Sequence, residues 1–275
     1  MNGKDKIDLH THSNASDGLF SPAKLIEIVV SHGLSAVALT DHDTLKGLDE
    51  AAEAAKKNGI DFIPGVEISA IEEKLEIHIL GYYPKRQEVL AEILFNLQKQ
   101  RYKRMEKIVA RLNDLGFQIT FDEVTLEAGE AAPGRAHLAR LMVKKGYVAT
   151  IDQAFSRFLN RGSPAYMERQ TLNFAETIDF LKKAGAVPVV AHPGASARPL
   201  IDQLIKFGLM GIEVFHPEHN HELTNYYLGL AHDKNLIVTG GTDFHGISHE
   251  KPGYPSELTI KARYLTQLKN AAAMI

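Results

Sequence analysis

Two hydrophobic periodicities alternate along the chain. Short apolar runs at residues 7–9, 36–39, 62–66, 187–191, 211–215 and 236–239 predict buried strands. Between most of them, residues 22–32, 45–58, 174–184, 199–207 and 223–234 carry apolar side chains three and four apart, which predicts amphipathic helices. Gly33, Gly59, Gly185 and Gly208 stand where these helices should stop. Residues 75–82 alternate apolar and polar and predict a further strand beside the end of the 62–66 run. Pro193 and Pro217 disfavour helix at the residue before them, so His192 and His216 are expected to be extended at strand tips.

The alternation breaks between about residues 85 and 169. One long helical pattern covers 89–115, and two shorter ones cover 135–146 and 151–159. Residues 1–85 and 170–275 are therefore expected to form a strand–helix barrel, with 86–169 as a helical insertion. The first insertion helix carries Lys99, Arg101, Lys103, Arg104, Lys107 and Arg111 against one acid, Glu106. A solvated helix face is the first reading of that bias, and a phosphate-steering surface the second.

Nearly every strand ends in a metal-ligand type of residue: His10, His42, Glu67, His192, His216 and Asp243. His10 and His12 lie two apart, so a strand aims both imidazoles to one face, and Asp17 can return from the next loop. In a parallel barrel the carboxyl ends of the strands converge, which would gather these tips into one site. A single buried histidine is ordinarily structural. Nine imidazoles and carboxylates at strand ends are too costly to bury as packing unless they share cations.

With 275 residues, 44% of them hydrophobic, the chain can bury a substantial core. It contains no cysteine, so disulfides are excluded and any metal must be held by nitrogen and oxygen. Manganese is the first expectation, with iron, zinc and magnesium as alternatives. The missing disulfides, the absence of an apolar run of about 20 residues and the absence of a targeting-type start suggest a cytoplasmic protein with no membrane partner. No obligate protein partner is suggested. A net charge of −3 argues against a generic polyanion binder, although two or three bound cations would reverse the sign locally.

The segments His10-Thr11-His12, Ser16-Asp17-Gly18, Thr40-Asp41-His42-Asp43, Gly65-Val66-Glu67-Ile68-Ser69, His78, Ala191-His192-Pro193 and Gly241-Thr242-Asp243-Phe244-His245, in that order, closely resemble the polymerase and histidinol phosphatase (PHP) superfamily. Pro133-Gly134-Arg135-Ala136-His137 through Ala139-Arg140, with Gly146-Tyr147-Val148, Ala154-Phe155 and Gly162-Ser163-Pro164-Ala165-Tyr166, is similar to its branch of nucleoside 3′,5′-bisphosphate phosphatases and 5′-to-3′ exoribonucleases. Ala136 departs from the proline usual there. The resemblance implies an α/β fold, a distorted (β/α)7 barrel with a helical insertion and a centre of two or three divalent metal ions. His10, His12, Glu67 and Asp243 would bind one ion. Glu67 would bridge to a second held by His78 and His192, and Asp17, His42 and His245 would hold a third. Such a pair of ions can share a hydroxide that attacks phosphorus in line.

On that resemblance Asp243 and Glu67 are catalytic candidates; His216, at a strand end beside the site, is the third, as proton donor or leaving-group contact, with a metal-bound water as the alternative donor. Asp41 and Asp43 are read as orienting groups. Arg135, His137, His216 and Arg161 are the substrate-contact candidates, with Arg169 weaker, because a guanidinium fork suits phosphate oxygens. Arg135 and His137 could instead cap a helix. The expected substrate is a small nucleotide, a 3′,5′-bisphosphate taken to a mononucleotide, with the 5′ end of short RNA as an extension, and the 86–169 insertion would be the substrate lid. Histidinol phosphate is the alternative, and a noncatalytic metal-binding module the reading from another class. His219, His221, His232 and His249 are read as exposed polar residues, and His32 as a cation at a helix end.

Overall fold

The structure, a computed structural model, describes residues 6–73, 75–246, 258 and 260–275. His249 and the first five residues, both used in the sequence reading, lie outside the described residues. Seven strands follow one another around the sheet in chain order: β1 (Lys6–Asp8), β2 (Ala36–Leu39), β3 (Asp61–Glu72), β4 (Leu75–Tyr82), β5 (Val187–Ala191), β6 (Gly211–Phe215) and β7 (Ile237–Gly240). An eighth, the two-residue β8 (Ile260–Lys261), adds antiparallel to β1.

Among the first seven strands, neighbours are parallel except at β4, which runs antiparallel to both β3 and β5. The curled sheet nearly closes where the Leu9 N–H donates to Gly240 O at 3.1 Å and His12 N–H to Phe244 O at 2.9 Å. The fold is thus a distorted α/β barrel, as the sequence predicts, with the ring of seven gaining the short β8. β2 (Ala-Val-Ala-Leu) and β5 (Val-Pro-Val-Val-Ala) are buried at every position, which accounts for their unbroken apolar runs.

Helix α1 (Pro22–Ser31) starts where the Ser21 hydroxyl accepts from Lys24 N, with proline in its first turn. Its apolar face buries Leu25, Ile26 and Val29 against Val37 and Leu39 of β2 and Ala51 and Ala55 of α2 (Leu48–Asn58). Each such aliphatic side chain contributes about 1.5–3 kcal/mol by burial. Helices α7 (Phe174–Lys183), α8 (Ile201–Phe207), α9 (His221–Asp233) and α10 (Arg263–Met274) complete this unit, residues Met1–Ile93 and Leu172–Ile275.

A second compact unit spans Leu94–Thr171. It contains most of the long α3 (Gln87–Asp114), then α4 (Phe121–Ala128), α5 (Arg135–Lys144), α6 (Ile151–Ala154) and a single π turn at Phe155–Leu159. Its own core packs Met105, Ile108 and Leu112 against Val124, Leu138 and Met142. Part of the basic bias of α3 serves this packing: the Arg104 guanidinium donates to Met167 O at 2.9 Å, and Arg111 to Tyr166 O at 3.2 Å. Among the described residues, no helix is long and apolar enough to cross a membrane.

Candidate metal centre

Two buried carboxylates position the loops at the barrel mouth. Asp8, at the end of β1, accepts from His10 N at 3.1 Å, from Thr242 N at 3.0 Å and from the Thr242 hydroxyl at 2.5 Å. It joins the segment carrying His10 and His12 to the one carrying Asp243. Burial raises the Asp8 carboxyl to about 6 despite those hydrogen bonds. Asp41, at the end of β2, accepts from Ser13 N at 2.8 Å, Ser13 Oγ at 2.6 Å and Ser16 Oγ at 2.5 Å, which fixes the turn leading to Asp17. The β1 and β7 ends approach so closely that a Cβ at Gly241 would collide with the backbone and Cβ of His10, hence glycine there.

Glu67 is fully buried and offers its two oxygens to different histidines. Oε1 lies 2.8 Å from His78 Nδ1 and 3.2 Å from His192 Nε2. Oε2 lies 3.3 Å from His10 Nε2, 3.2 Å from His12 Nε2 and 3.0 Å from His42 Nδ1. Asp243 Oδ1 closes the first group at 3.3 Å from His10 Nε2 and 3.0 Å from His12 Nε2. On the far side, His245 Nε2 approaches Asp17 Oδ1 at 3.2 Å.

Ligand atoms within 4.8 Å of one another therefore form three overlapping sets: His10, His12, Glu67, Asp243; His42, Glu67, His78; and His12, Asp17, His42, His245. All nine sequence candidates lie in or beside these sets. His192 joins through its approach to Glu67 alone, while His12 and His42 each belong to two sets.

Several placements depart from the sequence reading. His192 is not extended: its φ is 25°, and its N–H donates to Glu213 Oε2 at 2.8 Å, so a side-chain acceptor overrides the preference imposed by Pro193. His219 is buried rather than exposed, with Nδ1 2.9 Å from Val214 O and Nε2 accepting from Gly194 N at 3.3 Å. His221, His232 and His32 are exposed. His137 is buried and accepts from Gly134 N at 2.9 Å, which caps α5. Arg135 donates to Leu159 O at 3.2 Å beside the Phe155 and Tyr166 rings, and the exposed Arg161 pairs with Glu168 at 3.0 Å.

Glu213 went unnoticed in the sequence. Both its oxygens lie 3.1 Å from His10 Nδ1, and it is completely buried. A lone acid inside an otherwise apolar strand run was the signal.

The donor set fits divalent cations. Burial alone would raise the Glu67 carboxyl, but the His42, His78 and His10 imidazoles hold it well below its ordinary value. Burial would likewise raise Asp243, which the facing His10 and His245 hold low. Conversely, burial works to lower His12, yet Asp243 and Glu67 push it up to about 10. Glu67 Oε2 and Asp243 Oδ1 are buried oxygens crowded by ring nitrogens without an aligned hydrogen bond, and His10 Nε2 sits only 3.1 Å from His12 Nε2. Imidazole nitrogens converging on carboxylate oxygens in this way suit a cation better than shared protons.

Comparisons with known proteins agree. The model of the PHP domain matches residues 8–186. The chain is 35% identical over 248 residues to a 5′-3′ exoribonuclease of Haemophilus influenzae, covering 87% of this chain and 90% of that one. It is 33% identical over 247 residues to a 3′,5′-nucleoside bisphosphate phosphatase of Chromobacterium violaceum, covering 87% of each. A crystal structure assigned as a metal-dependent phosphoesterase of Bifidobacterium adolescentis superposes with a TM-score of 0.89 at 32% identity, over 96% of both chains. The chain belongs to the PHP domain family and is a hydrolytic enzyme of its metal-dependent phosphoesterase kind.

Proposed function

We propose that the protein hydrolyses a phosphate monoester of a small nucleotide, a 3′,5′-bisphosphate nucleotide being taken to a mononucleotide, and that the 5′ end of short RNA is a further substrate. The observation that carries the reading is the two-sided Glu67 carboxylate, with His10, His12 and Asp243 near one oxygen and His78 and His192 near the other. The activities named for the Haemophilus and Chromobacterium relatives favour nucleotides over other phosphate esters.

His10, His12, Glu67 and Asp243 would hold one cation, Glu67, His78 and His192 a second, and Asp17, His42 and His245 a third, His12 standing within reach of the last. Manganese leads the candidates. Bound divalent cations supply Lewis-acid charge for the phosphoryl oxygens and lower the pKa of water. The carboxylates of Glu67, Asp243 and Asp17 are ionised and ready to ligate. Burial lowers the His216 imidazole to about 4, so it is neutral at physiological pH. Its Nδ1 accepts from Glu218 N at 3.2 Å, which leaves the proton on Nε2, a buried atom with no acceptor among the described residues. We assign His216 Nε2–H as a hydrogen-bond donor to substrate oxygen, with no imidazolium proton to give.

The test is a parallel assay of the manganese-loaded protein on 3′,5′-bisphosphate nucleotides, mononucleotides, 5′-phosphorylated oligonucleotides and histidinol phosphate. The reading expects the highest kcat/KM on a bisphosphate nucleotide. Preference for histidinol phosphate would overturn it.

A further inference from the structure

The three metal-ligand sets do not contain Glu213, although this carboxylate touches two of the segments that supply ligands. On β6 it is fully buried, holds His10 Nδ1 with both oxygens at 3.1 Å and accepts the His192 N–H at 2.8 Å. His10 Nε2 faces Glu67 Oε2, whereas His192 Nε2 faces Glu67 Oε1. One side chain therefore reaches behind both halves of the Glu67 site.

Neighbours of Glu213 hold the same turn. His192 sits at a φ of 25°, a conformation a histidine rarely keeps unaided. Its turn is fixed at three backbone atoms: His192 N by Glu213, Gly194 N by His219 Nε2 at 3.3 Å, and Gly194 O by the Tyr227 hydroxyl at 2.5 Å. Residues of β6, the following loop and α9 supply all three contacts.

We propose that Glu213 is a positioning residue that couples the two cation subsites on either side of Glu67. Its carboxylate keeps the His10 proton on Nδ1, so Nε2 presents a lone pair to the first subsite, and it raises the basicity of that nitrogen. Through the His192 N–H the same carboxylate sets the turn that aims His192 at the second. This inference rests on the metal reading above.

The test is calorimetric titration of the chelator-treated full chain with manganese ion, beside circular dichroism of each metal-free variant. Wild type is expected to bind at least two equivalents tightly, and His78→Ala to lose affinity at one site alone. Glu213→Gln keeps the volume but removes the charge and one of the two acceptor oxygens, so it cannot serve both His10 Nδ1–H and the His192 N–H as the carboxylate does. It is expected to weaken two sites together by about 10- to 100-fold. Should the glutamine variant not fold, Glu213→Asp, which keeps the charge but is one methylene too short to reach both partners, carries the same expectation.

Wild-type affinity at both sites in the folded variant would overturn the proposal, since glutamine fills the same space without the carboxylate. Weakening at one site only would overturn the coupling. A wild-type chain that binds no manganese would instead overturn the metal reading itself, a distinct result.

Discussion

His78 Nδ1 lies 2.8 Å from Glu67 Oε1, brought there by the antiparallel pairing of β3 and β4 that opposes Ser69 to His78. Strand β4 runs against both its neighbours, so the barrel's irregularity delivers this imidazole to the side of Glu67 away from His10 and His12. Replacing it with alanine is expected to remove one equivalent of metal and lower kcat at least about a hundredfold with the fold intact. Elemental analysis and circular dichroism of His78→Ala check this. Near-normal turnover with undiminished metal would contradict it.

Stability and metal affinity should respond to pH in opposite directions. The metal-free fold holds the His12 imidazole at about 10, above its ordinary 6.5. A group raised on folding stabilises fully below its unfolded value, so this contribution is present below about 6.5 and lost as pH climbs towards 10. Chelator-treated protein should therefore lose stability to denaturant over that window. The same protons must leave when a cation binds, so affinity should rise with pH and binding should release protons. Calorimetry in buffers of different ionisation enthalpy measures the release; none at pH 7 would refute the account.

Asp41 accepts from Glu67 N at 3.2 Å through its backbone carbonyl, and its carboxylate holds Ser13 and Ser16 on the way to Asp17. Asp41→Ala leaves Ser13 N and Ser13 Oγ unmatched, Ser16 Oγ keeping Ser13 O at 3.4 Å, at about 1–3 kcal/mol for each donor that water does not reach. Thermal unfolding should register that loss. Chelator should also strip one ion more readily than in wild type, because Asp17 loses its support. An unchanged chelator profile would show that the turn holds without Asp41.

Arg135 keeps donors beyond the one it gives to Leu159 O. If its fork takes the nonreacting phosphate of a bisphosphate nucleotide, Arg135→Ala weakens that substrate by about 1.5–3 kcal/mol and spares a monophosphate. Arg135→Lys should restore only part of the difference, since an ammonium lacks the planar fork. Equal loss of kcat on both substrates would place Arg135 at the reacting phosphoryl group instead.

Much of this arrangement was legible because imidazoles and carboxylates stand out in apolar surroundings. The runs at β2, β5 and β6 end in His42, His192 and His216, and the predicted bounds 36–39, 187–191 and 211–215 agree with the observed strands. Strand β3 runs on to Glu72, well past the predicted residue 66, because Glu67 and Ser69 are buried and break the apolar pattern without breaking the strand. Helix α4 was missed although Thr120 and Glu123 form a capping box, since eight residues carry too little periodicity. The predicted 151–159 helix splits into α6 and a π turn, which no apolar spacing distinguishes.

Glu213 and His219 show the remaining limit. Glu213 reads as one acid in a strand, and its value lies in His10, more than two hundred positions away. His219 follows a proline in a polar loop and reads as solvated, but Val214 O and Gly194 N enclose it. In both cases the partner is set by tertiary packing, which local pattern does not encode.

The central claim, that Glu67 bridges two cations, is tested most directly by anomalous diffraction from crystals grown with manganese. Two peaks are expected about 3.5–4 Å apart, one by Glu67 Oε2 with His10, His12 and Asp243, the other by Oε1 with His78 and His192. A fully loaded crystal with a single peak at Glu67, or none, would contradict it.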